Sequence, residues 1–142
     1  MQALNLLQRV FEKDVTKRLR VNRQRANWLN FSLEQVFMKG YVQVYTGDGK
    51  GKTTAAIGMA LRAAGAGLKV FIAQFVKSGK YSEIIALEKF ADVIICRQYG
   101  SGCWLRGEPG DEDIRLARSG LQEVREIIQA GKHELIILDE AN

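Results

Sequence analysis

The feature that most constrains the fold is a glycine-rich run at residues 44–54, VYTGDGKGKTT. Its phosphate-binding elements are Gly47, Gly49, Gly51, Lys52 and Thr53. Closely spaced glycines let the backbone turn its N–H groups inward around an anion, and the start of a following helix adds partial positive charge. A loop of this kind connects a strand to a helix, so the run predicts an α/β nucleotide-binding domain.

The spacing of this run differs by one residue from that of the usual phosphate-binding loop. The usual loop has a glycine, four further residues and then Gly-Lys-Ser/Thr. Counting back from Gly51 places the first glycine at position 46, which is threonine here, and the glycine follows at Gly47. We predict that the whole loop contacts ATP, through Thr46, Gly47, Asp48, Gly49, Lys50, Gly51, Lys52, Thr53 and Thr54. Lys52 and Thr53 are also predicted to act in catalysis.

Apolar patterns on either side of the loop alternate between strand and helix. The predicted strands are Tyr41–Thr46, Lys69–Phe75, Asp92–Arg97 and Glu134–Glu140. The predicted helices are Lys52–Ala64, Ser82–Phe90 with Ser82 as its N-cap, and Asp111–Ala130. Repeated strand–helix–strand units with right-handed crossovers give a P-loop fold, whose mostly parallel sheet is flanked by helices. We expect this fold to be truncated after its fourth recognisable strand.

Two carboxylates, Asp139 and Glu140, end the fourth predicted strand, LIILDE. Acids at the end of an apolar strand are well placed to bind Mg²⁺, directly or through water, beside a phosphate-binding loop. The sequence therefore predicts a metal site made of Thr53, Asp139 and Glu140, with Glu140 preferred for the closest role and assigned to catalysis. The alternative, in which the acids only cap the strand, stays open.

The excess positive charge lies mainly in residues 1–37. The chain has a net charge of +5, and this segment carries Arg9, Lys13, Lys17, Arg18, Arg20, Arg23 and Arg25 against Glu12, Asp14 and Glu34. Apolar residues recur between the charges at helical spacing, which predicts a basic helical N-terminal extension ahead of a domain at 38–142. Because acids and apolar residues interrupt the basic ones, we expect the helix to face solvent or cover a ligand, and we expect no nucleic-acid partner.

Cysteine and hydropathy patterns exclude several other classes. Cys96, Cys103 and the single His133 form neither a disulfide framework nor a zinc-binding pattern. The sequence has no apolar run near the ~18 residues that a transmembrane helix needs. It also has no signal-peptide pattern at its N-terminus. These features predict a cytoplasmic protein with no membrane partner.

Five stretches together resemble the ATP:corrinoid adenosyltransferases of the P-loop type. They are GDGKGKTTAA, RAAGAG, QFVKSG, YGSGCW and LDEAN, and the resemblance runs from Lys39 to Asn142. The shifted glycine of the loop is typical of that family, in which asparagine is common at the position of Asp48.

The resemblance implies an activity, its co-substrates and its partners. ATP would donate its 5′-deoxyadenosyl group to Co(I) of a corrinoid, with Mg²⁺ or Mn²⁺ as cofactor, and the whole triphosphate would leave. The cobalt is the nucleophile, so no general base is needed. Tyr99 and Trp104, the first and last residues of YGSGCW, would lie near the corrin. The alternative, in which they only pack a glycine-rich loop, stays open. The resemblance further implies a homodimer in which residues 1–37 cover the partner's site, and a reductase such as flavodoxin.

One alternative remains open from the residues alone: a P-loop kinase or ATPase of another family. It would need a phosphoryl acceptor and a base to activate that acceptor.

Overall fold

A computed structural model describes residues 40–102 and 108–141 of the chain. The predicted N-terminal helical extension and Trp104 lie outside the described residues. The chain divides into two units: the described residues 40–44 belong to the first, and Tyr45–Ala141 form the second. All the helices and strands given below belong to the second unit.

The second unit is a parallel sheet of three strands with helices between them, which confirms the predicted α/β fold class. Numbered in chain order, the strands are β1 (Val70–Phe75), β2 (Ile94–Tyr99) and β3 (Leu135–Asp139). The helices are α1 (Lys52–Gly65), α2 (Ser82–Leu87) and α3 (Asp111–Ala130), and a short 3₁₀ turn, Glu88–Phe90, extends α2. The strand order is β2-β1-β3, and both pairings are parallel.

Strand β1 lies at the centre of the sheet, and all six of its residues are buried. Side chains alternate between the two faces of a strand, so Val70 and Ile72 share one face. On that face they form a core cluster with Ala60 of α1 and Leu87 of α2. Burying a valine, leucine or isoleucine side chain contributes roughly 1.5–3 kcal/mol each. This burial holds α1, and with it the loop that precedes it, against the sheet.

Helix α3 agrees with the prediction at both ends. Acidic side chains in its first turn, including Asp113, favour the positive end of the helix dipole. The Asp113 carboxylate also accepts a hydrogen bond from the Gly110 N–H at 3.1 Å. Gly131 ends the helix with a φ of 60°, a left-handed conformation that glycine adopts at little cost.

The first predicted strand is wrong for this structure. Residues 40–46 are not a strand, and the side chains of Tyr41, Val42 and Val44 are exposed. Their alternation of aromatic and β-branched residues favours extended backbone, but a strand also needs a neighbouring strand that satisfies its hydrogen bonds. Local pattern does not determine whether such a neighbour is present.

Smaller differences concern the ends of the other elements. Helix α2 begins at Ser82, its N-cap is Tyr81, and no side chain caps it, so the predicted capping role of Ser82 is wrong. Strand β2 begins and ends two residues later than predicted.

Within the described residues, no helix combines the length and the apolarity that crossing a membrane requires.

Candidate functional site

The glycine loop leads directly into α1, as its sequence predicts. Gly47 and Gly51 have φ values of 133° and 105°, which side chains with a Cβ rarely adopt. Lys52 is the first residue of the helix, and its ammonium donates to the carbonyl oxygens of Gly47 at 2.5 Å and Gly49 at 2.7 Å. The loop therefore curves around the Lys52 side chain, which places a cation inside the concave side of the backbone.

Thr53 joins this loop to the end of β3. Its hydroxyl donates to Asp139 Oδ1 at 2.9 Å, although the two residues are 86 positions apart in sequence. The Asp139 side chain is 8% exposed, so the contact forms in a partly dehydrated environment. The sequence predicts these two residues as parts of one site, and the structure brings them into direct contact.

Glu140, the third predicted metal-binding residue, lies at the rim of the site. Its side chain is 43% exposed and its backbone has a φ of 54°. A left-handed conformation is uncommon for a non-glycine residue and turns the chain sharply away from the strand direction. The geometry favours Asp139 over Glu140 for the role closest to the loop, because Asp139 is buried and bonded to Thr53.

Lys77, which follows β1, is a cation of the site that the sequence analysis did not single out. Its ammonium donates to Asp139 Oδ2 at 2.9 Å and to Thr53 Oγ1 at 3.1 Å, and it lies 3.6 Å from Glu140 Oε1. Partial burial lowers the pKa of Lys77, but the hydrogen bond and charge of Asp139 and the charge of Glu140 outweigh that effect and raise the pKa overall. Lys77 is therefore fully charged at neutral pH.

A row of polar side chains crosses the sheet at the same level as Asp139. Gln98 of β2, Gln74 of β1 and Asp139 of β3 are direct neighbours in the strand register. The Gln98 amide donates to Gln74 Oε1, and the Gln74 amide donates to Asp139 Oδ2, each at 3.1 Å. Gln74 is 1% exposed, so this row fixes the orientation of the Asp139 carboxylate from beneath.

The backbone on which Lys77 stands is held tightly. Val76 has a φ of 63°, a strained value for a β-branched residue, at the turn between β1 and Lys77. Gly100 packs against this turn: a Cβ at position 100 would lie 2.5 Å from the Val76 carbonyl oxygen and 2.7 Å from the Lys77 nitrogen. Only glycine allows this approach, so the YGSG stretch fixes the position from which the Lys77 side chain extends.

Tyr99, one of the two predicted corrin-contacting aromatics, is buried under α3. Its ring lies 5.5 Å from the Phe75 ring, and its hydroxyl donates to Glu123 Oε2 at 2.8 Å. Burial and then the Glu123 hydrogen bond raise the pKa of Tyr99 well above its usual range. The Tyr99 side chain therefore packs the end of β2 against α3. Trp104 lies outside the described residues.

Of the site residues that the sequence analysis missed, only Gln74 has a local signal in the sequence. Gln74 is the only polar residue within β1, and a buried polar side chain in an apolar strand needs a partner. Gln98 and Lys77 carry no comparable local signal, because their role depends on which strands are neighbours. Among the described residues there is no group of three or more His, Cys, Asp or Glu side chains that could hold a metal. A cation here would instead use one hydroxyl and two carboxylates, leaving room for water and phosphate oxygens, as Mg²⁺ prefers.

The parallel sheet, the glycine loop at the start of α1 and the Thr53–Asp139 contact define an α/β protein of the P-loop type. The chain belongs to the family described as ATP:corrinoid adenosyltransferase BtuR/CobO/CobP, whose model matches residues 38–142. That match includes the loop, Lys77 and both carboxylates of the candidate site.

Individual relatives agree with the family assignment. Over 132 residues the chain is 29% identical to the corrinoid adenosyltransferase of Pseudomonas aeruginosa, a match that covers 92% of this chain and 65% of that protein. It is 32% identical over 106 residues to the corrinoid adenosyltransferase of a Sinorhizobium species, covering 73% of this chain and 50% of that protein. A shorter match to the Escherichia coli K12 corrinoid adenosyltransferase is 59% identical over 39 residues. The chain thus spans from half to about two thirds of the length of the first two relatives.

Proposed function

We propose that this chain forms the nucleotide-binding part of an enzyme that transfers the 5′-deoxyadenosyl group of ATP to Co(I) of a corrinoid and releases triphosphate. The observation that carries the proposal is the Lys52–Thr53–Asp139 arrangement within a stretch that matches the adenosyltransferase family. It provides a cation, a hydroxyl and a carboxylate around one concave loop, and a departing triphosphate needs such neutralisation of its charge.

The loop holds the triphosphate in this proposal. Backbone N–H groups from Thr46 to Thr54 surround the phosphates, and Lys52 exchanges its carbonyl contacts with Gly47 and Gly49 for contacts with phosphate oxygens. A charge-assisted bond to phosphate is stronger than one to a neutral carbonyl, so this exchange is favourable. Lys50 supplies a second cation at the exposed side of the loop.

A divalent cation, Mg²⁺ or Mn²⁺, fits the side chains at the far end of the loop. Thr53 and Asp139 would hold it, directly or through water, with Glu140 at the rim. The 2.9 Å separation of Thr53 Oγ1 from Asp139 Oδ1 supports this fit, because both oxygens can face one ion. When bound, such an ion neutralises charge on the leaving triphosphate.

Neither His133 nor Cys96 is suited to act as a general base at the loop, and the two carboxylates near Thr53 are assigned to the metal in this proposal, which agrees with a nucleophile supplied by the corrinoid. The His133 ring lies 5.7 Å from Phe71, on an apolar neighbour rather than in the loop. Burial raises the pKa of Cys96 to about 11, so its thiol is protonated at neutral pH. Kinase chemistry, by contrast, normally relies on a residue that orients and activates the acceptor.

The finer features of the enzyme are also proposals. Trp104, which follows β2 in the sequence, would lie against the corrin, with Tyr99 packed within the fold at the end of β2. Residues 1–37 would cover the site of a partner subunit in a homodimer. A reductase such as flavodoxin would supply electrons in the cytoplasm.

The products formed from ATP test the proposal directly. The protein would be incubated with ATP, Mg²⁺ and a chemically reduced corrinoid under anaerobic conditions. We expect one inorganic triphosphate for each light-sensitive adenosylcorrinoid formed. ADP with phosphate, in the presence or absence of corrinoid, would instead indicate an ATPase or kinase and would overturn the assignment.

The two carboxylates should differ in their effect on the metal requirement. We expect Asp139→Asn to raise the Mg²⁺ concentration for half-maximal ATP turnover roughly 100-fold and Glu140→Gln roughly 10-fold, the span typical for groups that hold or orient a metal. The reason is that Asp139 is buried against Thr53, whereas Glu140 is exposed. A Mg²⁺ titration at saturating corrinoid measures both, and unchanged titrations would remove the two residues from the metal site. The apparent affinity for corrinoid serves as the internal control and should change much less.

A further inference from the structure

The Lys77 ammonium contacts the same three side chains that the proposed metal site uses. It lies 2.9 Å from Asp139 Oδ2, 3.1 Å from Thr53 Oγ1 and 3.6 Å from Glu140 Oε1. Its single positive charge thus offsets part of the negative charge of the two carboxylates, of which Asp139 is largely buried. An ammonium and a divalent cation compete for the same oxygens, because each has to stand close to them and the two repel each other.

We propose that Lys77 is a resident cation of this site: it occupies the metal position while ATP is absent and has to leave when the metal binds. The inference rests on the metal site proposed above. ATP would make the exchange favourable by supplying both metal-binding oxygens and new acceptors for the displaced ammonium. Metal and ATP would then bind cooperatively, because each favours the state in which the Lys77 ammonium has left the carboxylates.

The structure allows Lys77 to make this exchange by moving its side chain alone. The backbone at Val76 and Lys77 is fixed by the left-handed turn and by the close approach of Gly100. The Lys77 side chain is 22% exposed, and its flexible four-carbon stem ends beside the first turn of α1, where Thr53 lies. A short swing of that stem would carry the charge from the carboxylates toward phosphates held by the loop.

The inference predicts how Lys77 affects metal binding without any catalysis. Removing the ammonium with Lys77→Met keeps a stem of similar length but leaves the carboxylates free for a metal. We expect this variant to bind Mn²⁺ about 10-fold more tightly than the natural chain when ATP is absent. We also expect the enhancement of Mn²⁺ affinity by a non-reactive ATP analogue to shrink by a similar factor, within the range of typical couplings between two ligands.

Two matched variants separate this effect from a general change of charge. Lys77→Arg keeps the cation and should stay within about threefold of the natural Mn²⁺ affinity. Lys80→Met removes an exposed cation from the same segment, outside the cluster, and should change that affinity less than about twofold. Circular dichroism of each variant checks that it is folded.

Titrations of Mn²⁺ followed by electron paramagnetic resonance, with and without the analogue, give the result. Tighter binding in Lys77→Met alone supports the inference. Equal or weaker binding in Lys77→Met, with clear binding in the natural chain, would overturn it while leaving the metal site in place. Absence of Mn²⁺ binding in every variant, even with the analogue, would overturn the metal site and the role of Lys77 together. If Lys77→Met does not fold, the natural chain alone still tests the inference. Mn²⁺ binding that is equally tight with and without the ATP analogue would show that Lys77 does not block the metal position.

Discussion

Replacing Lys52 with alanine should lower kcat/KM for ATP by about 1,000-fold, equivalent to roughly 4 kcal/mol of transition-state stabilisation. In the proposed reaction the whole triphosphate departs, so its negative charge has to be stabilised as the bond to the sugar carbon breaks. The Lys52 ammonium is the cation that the loop encloses, at 2.5 and 2.7 Å from two of its carbonyl oxygens. Steady-state formation of triphosphate measures the loss.

Lys50→Ala is the matched control for this prediction. It removes a neighbouring lysine from the same loop, but Lys50 is exposed and precedes the helix. We expect a loss of about tenfold for Lys50→Ala, because a more solvated charge is screened by water. Equilibrium binding of ATP to Lys52→Ala gives an independent measurement. Natural affinity and natural turnover in that variant would contradict the role of the loop.

The parts of the fold that the sequence predicted well have self-contained local signals. Helix α3 carries acidic residues in its first turn, an apolar residue every three or four positions and Gly131 at its end, so both of its ends are encoded within the helix itself. Strand β1 is almost continuously apolar, which indicates burial on both faces. The glycine loop likewise carries its own conformational requirement at Gly47 and Gly51.

The parts that it predicted poorly depend on tertiary neighbours. The Tyr41–Thr46 segment has the composition of a strand, but composition does not determine whether a segment pairs with another strand, and here it is not a strand. Ser82 has the side chain of an N-cap, but Tyr81 occupies that position and the cap lacks a side-chain hydrogen bond. In each case a local preference was present, and the surrounding structure decided whether it was used.

The residues of the candidate site likewise fall into those with a local sequence signal and those that depend on tertiary neighbours. Lys52, Thr53 and Asp139 follow from motif and strand position, and the 2.9 Å contact brings two of them together. Lys77 and Gln98 could not be found in this way. Their part in the site depends on the register that aligns Gln98 with Gln74 and Gln74 with Asp139, and on the turn that directs Lys77 back toward β3.

A second large effect should come from Gly120, in the middle of α3. An added Cβ there would lie 2.7 and 2.8 Å from Tyr99 Cδ1 and Cδ2, and closer still to Cγ. Alanine is a better helix former than glycine by roughly 0.5–1 kcal/mol, so propensity alone would make Gly120→Ala stabilising. Overpacking of a filled interior typically costs ~1–3 kcal/mol and acts here on a buried ring. We expect a net decrease of about 1–2 kcal/mol in the free energy of unfolding.

Gly58→Ala in α1 provides the control with the opposite sign. An added Cβ at position 58 meets no atom within 4 Å, so only the gain in helix propensity applies. We expect this variant to be more stable by roughly 0.5–1 kcal/mol. Denaturant unfolding of the natural chain and both variants measures the two changes, which should differ in direction.

A double variant identifies Tyr99 as the source of the cost at position 120. In a Tyr99→Leu background the ring that the new methyl group would strike is gone, although the hydrogen bond to Glu123 is lost with it. Gly120→Ala should then cost at least about 1 kcal/mol less than in the natural chain, because residues in contact have non-additive effects. If the cost were the same in both backgrounds, the strain would lie in the helix itself and not in the packing of α3 on the end of β2. The close contact between Gly120 and the Tyr99 ring would then contribute nothing measurable to stability. It would not help to hold the end of β2 against α3.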